Sequence, residues 1–172
     1  MSRWLVSLGA VLACFLVAGV AGMVITCGEA DTAMPEPGPC PATSPTPTSR
    51  RDPLGWYRVT IQRNADRLYS LTSSFRAEYP DGKFYRSGEF RPDFARYADE
   101  TVCIAQYLRG LALQPDFAAI ETALDHVLDE FIAHQVAGRE AVRARNVSEY
   151  RTWDRGIEAH LAALRRVGGV MP

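Results

Sequence analysis

The chain is predicted to be all-α: an antiparallel up-down four-helix bundle preceded by one transmembrane helix and a Pro-rich tether. Three observations carry this. Residues 4–26, WLVSLGAVLACFLVAGVAGMVIT, hold no charge and no proline. Six prolines then crowd the stretch from Pro35 to Pro47. Beyond Asp52, apolar residues recur every three or four positions in four blocks separated by Pro- or Gly-containing breaks, and no stretch of useful length alternates as a strand would. Three parts follow: a membrane anchor or signal segment at 1–26, a Pro/Thr/Ser-rich disordered tether at 27–52, and a helical domain at 53–172. Its helices are expected near 53–79, 92–109, 115–145 and 147–167, joined mostly by short connections, as an up-down bundle requires.

The apolar run has the length of a span. Its residues 4–26 as a helix measure about 35 Å against a hydrocarbon core of about 30 Å. Arg3 precedes the run and Glu29, Asp31 and Glu36 follow it, which places the N-terminus in the cytoplasm and the rest outside. A signal-peptide core is shorter, roughly 7–15 residues, so an uncleaved signal anchor is the first reading. A lipoprotein is the alternative. Val24-Ile25-Thr26-Cys27 resembles the bacterial lipobox, which implies acylation of Cys27 after cleavage; Thr26 departs from the small residue that motif prefers. Val11-Leu12-Ala13-Cys14 fits the residue types better but leaves a greasy mature N-terminus. Either route leaves the domain tethered to the cytoplasmic membrane on its extracytoplasmic side.

From Asp52 on, sixteen cations face seventeen acids, with no basic stripe, so nothing attracts nucleic acid. The four cysteines do not form a disulfide framework. Cys14 lies in the apolar run. A Cys27–Cys40 bridge is compatible with an oxidising compartment if Cys27 carries no lipid. Cys103, inside a helical pattern, reads as a small buried apolar residue.

The tether ends in TSPTPTS, a composition that favours extended polyproline conformations and packs no core. Asp52-Pro53 reads as an N-cap and first helical residue. The first helix then carries Ile61, Ala65, Leu68, Thr72, Phe75 and Tyr79 on one face until Pro80-Asp81-Gly82 stops it. Pro92-Asp93 and Pro115-Asp116 open the second and third helices by the same start chemistry. The second presents Phe94, Tyr97, Thr101, Ile104 and Leu108 and ends at Gly110. The third presents Ile120, Leu124, Val127, Phe131, His134, Gly138 and Ala141, with Arg139, Arg143 and Arg145 suiting the negative end of its dipole. Gly138 marks either a close helix approach or a kink. Asn146 and Glu149 form a capping pair for the fourth helix, which presents Tyr150, Trp153, Ile157, Leu161 and Leu164.

No nucleophile elbow, zinc-protease helix, Cys-x-x-Cys, phosphate loop or dinucleotide fingerprint occurs, nor the Glu-x-x-His pair of di-iron bundles. The chemistry left is His126, Glu130 and His134 at four-residue spacing, plus His160. Imidazole and carboxylate suit a divalent transition metal, so His134, His160 and Glu130 are the expected metal set. In an antiparallel hairpin turning near Val147, His134 and His160 stand at one level, which predicts rings within about 8 Å. The 80–91 connection gathers Phe84, Tyr85, Arg86 and Phe90, residue types enriched in interaction sites, and these read either as a binding loop or as a plug for the bundle's end. The function expected is that of a membrane-tethered structural or protein-interaction module, without catalysis and with a protein partner at the cell surface. The alternative is a bundle that binds a metal or small ligand.

Overall fold

Four helices account for most of what the computed structural model describes, residues 34–41, 52–80, 88–111 and 118–170. They are α1 (Pro53–Glu78), α2 (Phe90–Arg109), α3 (Ala118–Arg143) and α4 (Val147–Val170). No strand occurs among the described residues. None of their helices is long and apolar enough to cross a membrane. The 4–26 run, with Cys27, lies outside the described residues.

Local chemistry sets most of the helix ends. The Asp52 carboxylate accepts the Gly55 N–H at 2.8 Å, satisfying one of the donors that a helix start leaves over. The Asn146 side chain does the same for the Glu149 N–H at 3.2 Å. Between α3 and α4 the chain turns without glycine. The Asn146 N–H reaches the Ala141 carbonyl at 2.8 Å and the Arg145 N–H reaches Val142 at 3.2 Å, with Arg145 at φ 56°. This is a Schellman ending, and Arg145 occupies the left-handed position where glycine is usual. Asn146 thus closes one helix and caps the next.

The second helix starts earlier than expected. Its first residue is Phe90, and its first internal bond runs from the Asp93 N–H to the Glu89 carbonyl at 3.1 Å. Pro92 fits inside the first turn because its missing N–H has no helical acceptor there. The Asp93 carboxylate serves the tertiary structure as well: it accepts the Tyr79 hydroxyl from the end of α1 and the guanidinium of Arg96. The expected start of the third helix at 115–117 lies outside the described residues.

Each helix packs on two neighbours, α3 on α4 and α2, and α1 on α4 and α2. The apolar stripes expected for α1, α2 and α4 are all buried, from Ile61 to Tyr79, Phe94 to Leu108 and Tyr150 to Leu164. Removing such side chains from water stabilises by about 1.5–3 kcal/mol each. At one end Phe75, Tyr79, Phe90, Phe94, Tyr97, Tyr150 and Trp153 form a continuous aromatic cluster with mostly tilted or edge-on contacts.

The buried face of α3 differs from the expected stripe. Leu124, Phe131, Gly138 and Ala141 are buried as expected, but Leu128, Gln135, Arg139 and Val142 are buried too. Ile120, Val127 and His134 lie at the edge. The reason is that α3 packs more extensively on its two neighbours than any other helix does. One side meets α4 and the other meets α2, so its buried face is wider than a single stripe.

The stretch 34–41 also departs from a free tether. Met34 is buried, and Cys40 forms a disulfide with Cys103 of α2. The Cys27–Cys40 bridge is therefore not made, and Cys103 is not a free thiol. Residues 35–39 remain exposed, so this stretch lies on the bundle as a strap.

Candidate functional site

Two groups of chemically capable side chains occur among the described residues, one on each flank of α3. The first is the histidine pair. The His134 and His160 rings lie 4.4 Å apart between centroids, tilted by 37°. The antiparallel hairpin argument thus placed the two imidazoles correctly. Glycines create the space. A Cβ at Gly156 of α4 would fall 2.7 Å from His134 Cε1, and one at Gly138 of α3 would fall 2.5 Å from Trp153 Cδ1. Each helix receives the other's ring in a glycine notch, and the two rings stack at 6.2 Å. Gly138 therefore makes room for the Trp153 indole.

The hydrogen bonding of this pair fixes its chemistry. His134 Nε2 donates to the Trp153 carbonyl at 2.9 Å, which leaves Nδ1 as its lone-pair nitrogen. Burial pushes the His134 imidazole below its ordinary pKa, and the His160 ring adds to the effect, while the Trp153 carbonyl opposes it. Glu130 does not join the pair. It lies 3.6 Å from His126, both side chains being more than half exposed. The metal set His134, His160 and Glu130 is therefore not assembled, and no group of three or more His, Cys, Asp or Glu among the described residues could hold a metal ion. The physical reason is rotational: residues four apart stack along a helix but drift about 40° around it, since each residue turns about 100°. Glu130 consequently follows His126 toward solvent.

The second group is the clasp under the strap, which sequence reasoning did not find. Arg139 of α3 is buried at 5 % exposure. Its guanidinium donates to the Asp99 carboxylate, to the Ala95 carbonyl at 3.4 Å and to the carbonyl of Pro35 in the strap. Its Nε has no partner among the described residues. Arg143, one turn on, approaches Glu36 at 3.5 Å. With Met34 and the Cys40–Cys103 bond, these contacts hold the strap to α2 and α3. The pairing was available in principle. Three cysteines follow the apolar run, Cys27, Cys40 and Cys103, so Cys40–Cys103 was one of three pairings open to the sequence. Arg139 carried no such signal, because an arginine near a helix C-terminus normally serves the dipole from the surface.

A polar chain crosses the core between these groups. Gln135 Nε2 donates to the Tyr97 hydroxyl at 3.2 Å, Tyr97 and Thr72 share a 2.9 Å bond, and Thr72 donates to the Leu68 carbonyl at 2.9 Å. Because Thr72 spends its proton on Leu68, Tyr97 is the donor to Thr72, and the chain has one direction. Burial holds the Tyr97 phenol above its ordinary pKa. Gln135 Oε1 and Trp153 Nε1 lack partners among the described residues.

Of the expected interaction loop, Phe84, Tyr85 and Arg86 lie outside the described residues. Phe90 is fully buried in the aromatic cluster, so it is a plug rather than a binding surface. Comparison with family models, curated proteins and solved structures finds no match to this chain.

Proposed function

We propose that the chain is an extracytoplasmic helical-bundle module, held at the cytoplasmic membrane through residues 4–26, whose role is structural or protein-binding rather than catalytic. The observation that carries this reading is the Cys40–Cys103 disulfide. Such cross-links persist in oxidising compartments and are rare in the cytosol. This one begins shortly after the apolar run and so agrees with an N-in, C-out course. The non-catalytic part rests on the sequence, which offers no nucleophile–base motif. The antiparallel up-down course of the bundle belongs to the same proposal. Its support is the order of contacts: Arg67 meets Glu100, Thr72 meets Tyr97 and Tyr79 meets Asp93, so positions rise on α1 as they fall on α2.

Trypsin provides the test. Between Arg3 and Arg50 the chain has no lysine or arginine, so cleavage in the tether falls after Arg50 or Arg51, beyond Cys40. Right-side-out membranes treated with trypsin should keep the nicked bundle attached through the disulfide and release it only when dithiothreitol is added. Full protection of the chain from external protease would remove the assigned orientation. A bundle that appears in the supernatant without any protease would remove the membrane anchor.

A further inference from the structure

We propose that residues 34–41 are a redox-controlled strap: the Cys40–Cys103 bond latches them to the bundle, and its reduction frees them from the α2–α3 face while the four helices stay folded. The inference rests on contacts within the bundle and stands whether or not the membrane reading holds. The strap is held at few points. Only Met34 is buried; residues 35–39 are exposed. The Arg143–Glu36 pair is weak, because Glu36 is 83 % exposed and solvent screens it. The Arg139–Pro35 bond is stronger, but Arg139 keeps Asp99 when the strap departs, so no charge is stranded. The four-helix core is built from side chains of α1 to α4, and of the strap only Met34 joins it. The latch is therefore separable from the core it covers.

Both cysteines are only half-buried, so a reductant can approach. The chemistry is thiol–disulfide exchange with a dithiol. One of its thiolates attacks a sulfur of the Cys40–Cys103 bond and displaces the other as thiolate, and the dithiol's second sulfur then resolves the mixed disulfide. Two electrons and two protons pass to Cys40 and Cys103, and the dithiol leaves as a disulfide. Release uncovers the guanidinium face of Arg139 and the seat of Met34.

Met34 supplies a local readout, since a buried thioether is slow to form its sulfoxide and an exposed one is fast. The full-length chain is reduced with dithiothreitol under native conditions, alkylated, and pulsed with dilute peroxide. Mass spectrometry then follows oxidation at Met34, and circular dichroism follows the helices. Oxidation of Met34 should accelerate at least tenfold on reduction, with the helical signal retained. Cys40→Ser should reproduce the fast oxidation without reductant. If Met34 stays protected after reduction, the noncovalent contacts suffice and there is no latch. If reduction or Cys40→Ser abolishes the helical signal, the bond is a staple of the bundle and the proposal fails.

Discussion

His134 shows how one side chain couples packing to pH. Its ring lies in the Gly156 notch, donates to the Trp153 carbonyl and faces His160. Burial first, and His160 second, depress its folded pKa below the ordinary 6.5. The unfolded chain therefore binds a proton at higher pH than the folded one. The resulting stability is complete above the unfolded value and is lost as pH falls through it toward the depressed folded value. Urea midpoints measured from pH 8 to pH 5 should decline more steeply for the wild type than for His134→Gln. Parallel curves would mean that His134 is as easily protonated in the bundle as in the unfolded chain.

At the scale of the element, the α3–α4 hairpin concentrates two local conflicts. Gly138 and Gly156 each weaken their helix by about 1 kcal/mol relative to alanine, yet they differ in what an added methyl meets. At Gly138 it strikes Trp153, which is 2 % exposed and cannot move aside. Gly138→Ala should lose roughly 1–3 kcal/mol despite the better propensity, as overpacked cores do. At Gly156 the obstacle is the half-buried His134 ring, which can swing toward solvent. Gly156→Ala should be close to neutral, and the pair of denaturation curves checks the ranking. The turn itself gives the opposite sign. Arg145 is exposed and holds φ 56°, a conformation that disfavours side chains with a Cβ. Arg145→Gly should raise stability by about 0.5–1 kcal/mol, after the greater unfolded-state entropy of glycine is subtracted. A lower melting midpoint would show that the arginine side chain outweighs the backbone effect.

For the whole molecule, the disulfide joins positions separated by 63 residues, so it constrains the unfolded chain across α1 and most of α2. In the chain-entropy account a loop of that size corresponds to about 4 kcal/mol, with measured values commonly smaller. Cys103→Ser in the full-length chain should lower the free energy of unfolding by ~2–4 kcal/mol in urea titration while leaving the helical spectrum in place. The four helices keep their own core of fully buried residues, including Leu68, Phe94, Phe131 and Ile157. A variant as stable as the parent would mean that the cross-link adds only native-state strain equal to its entropic gain.

The amino-acid sequence alone determined the four helices, the buried stripes of α1, α2 and α4, the Asp52 and Asn146 caps and the level at which His134 meets His160. Each follows from short-range rules, namely helical spacing, side-chain capping and equal counting from a turn. Tertiary structure decided what depends on the far side of an element. Every helix has two partners, but α3 packs on its two more extensively than the others do, so its buried face widens to take in Gln135 and Arg139 although their types favour the surface. Phe90 belongs to the core because α2 starts two residues before Pro92, a choice stabilised by aromatic contacts from α1 and α4. Cys40 finds Cys103 by folding back across the bundle, and no local pattern encodes a contact between an extended strap and a helix 63 residues away.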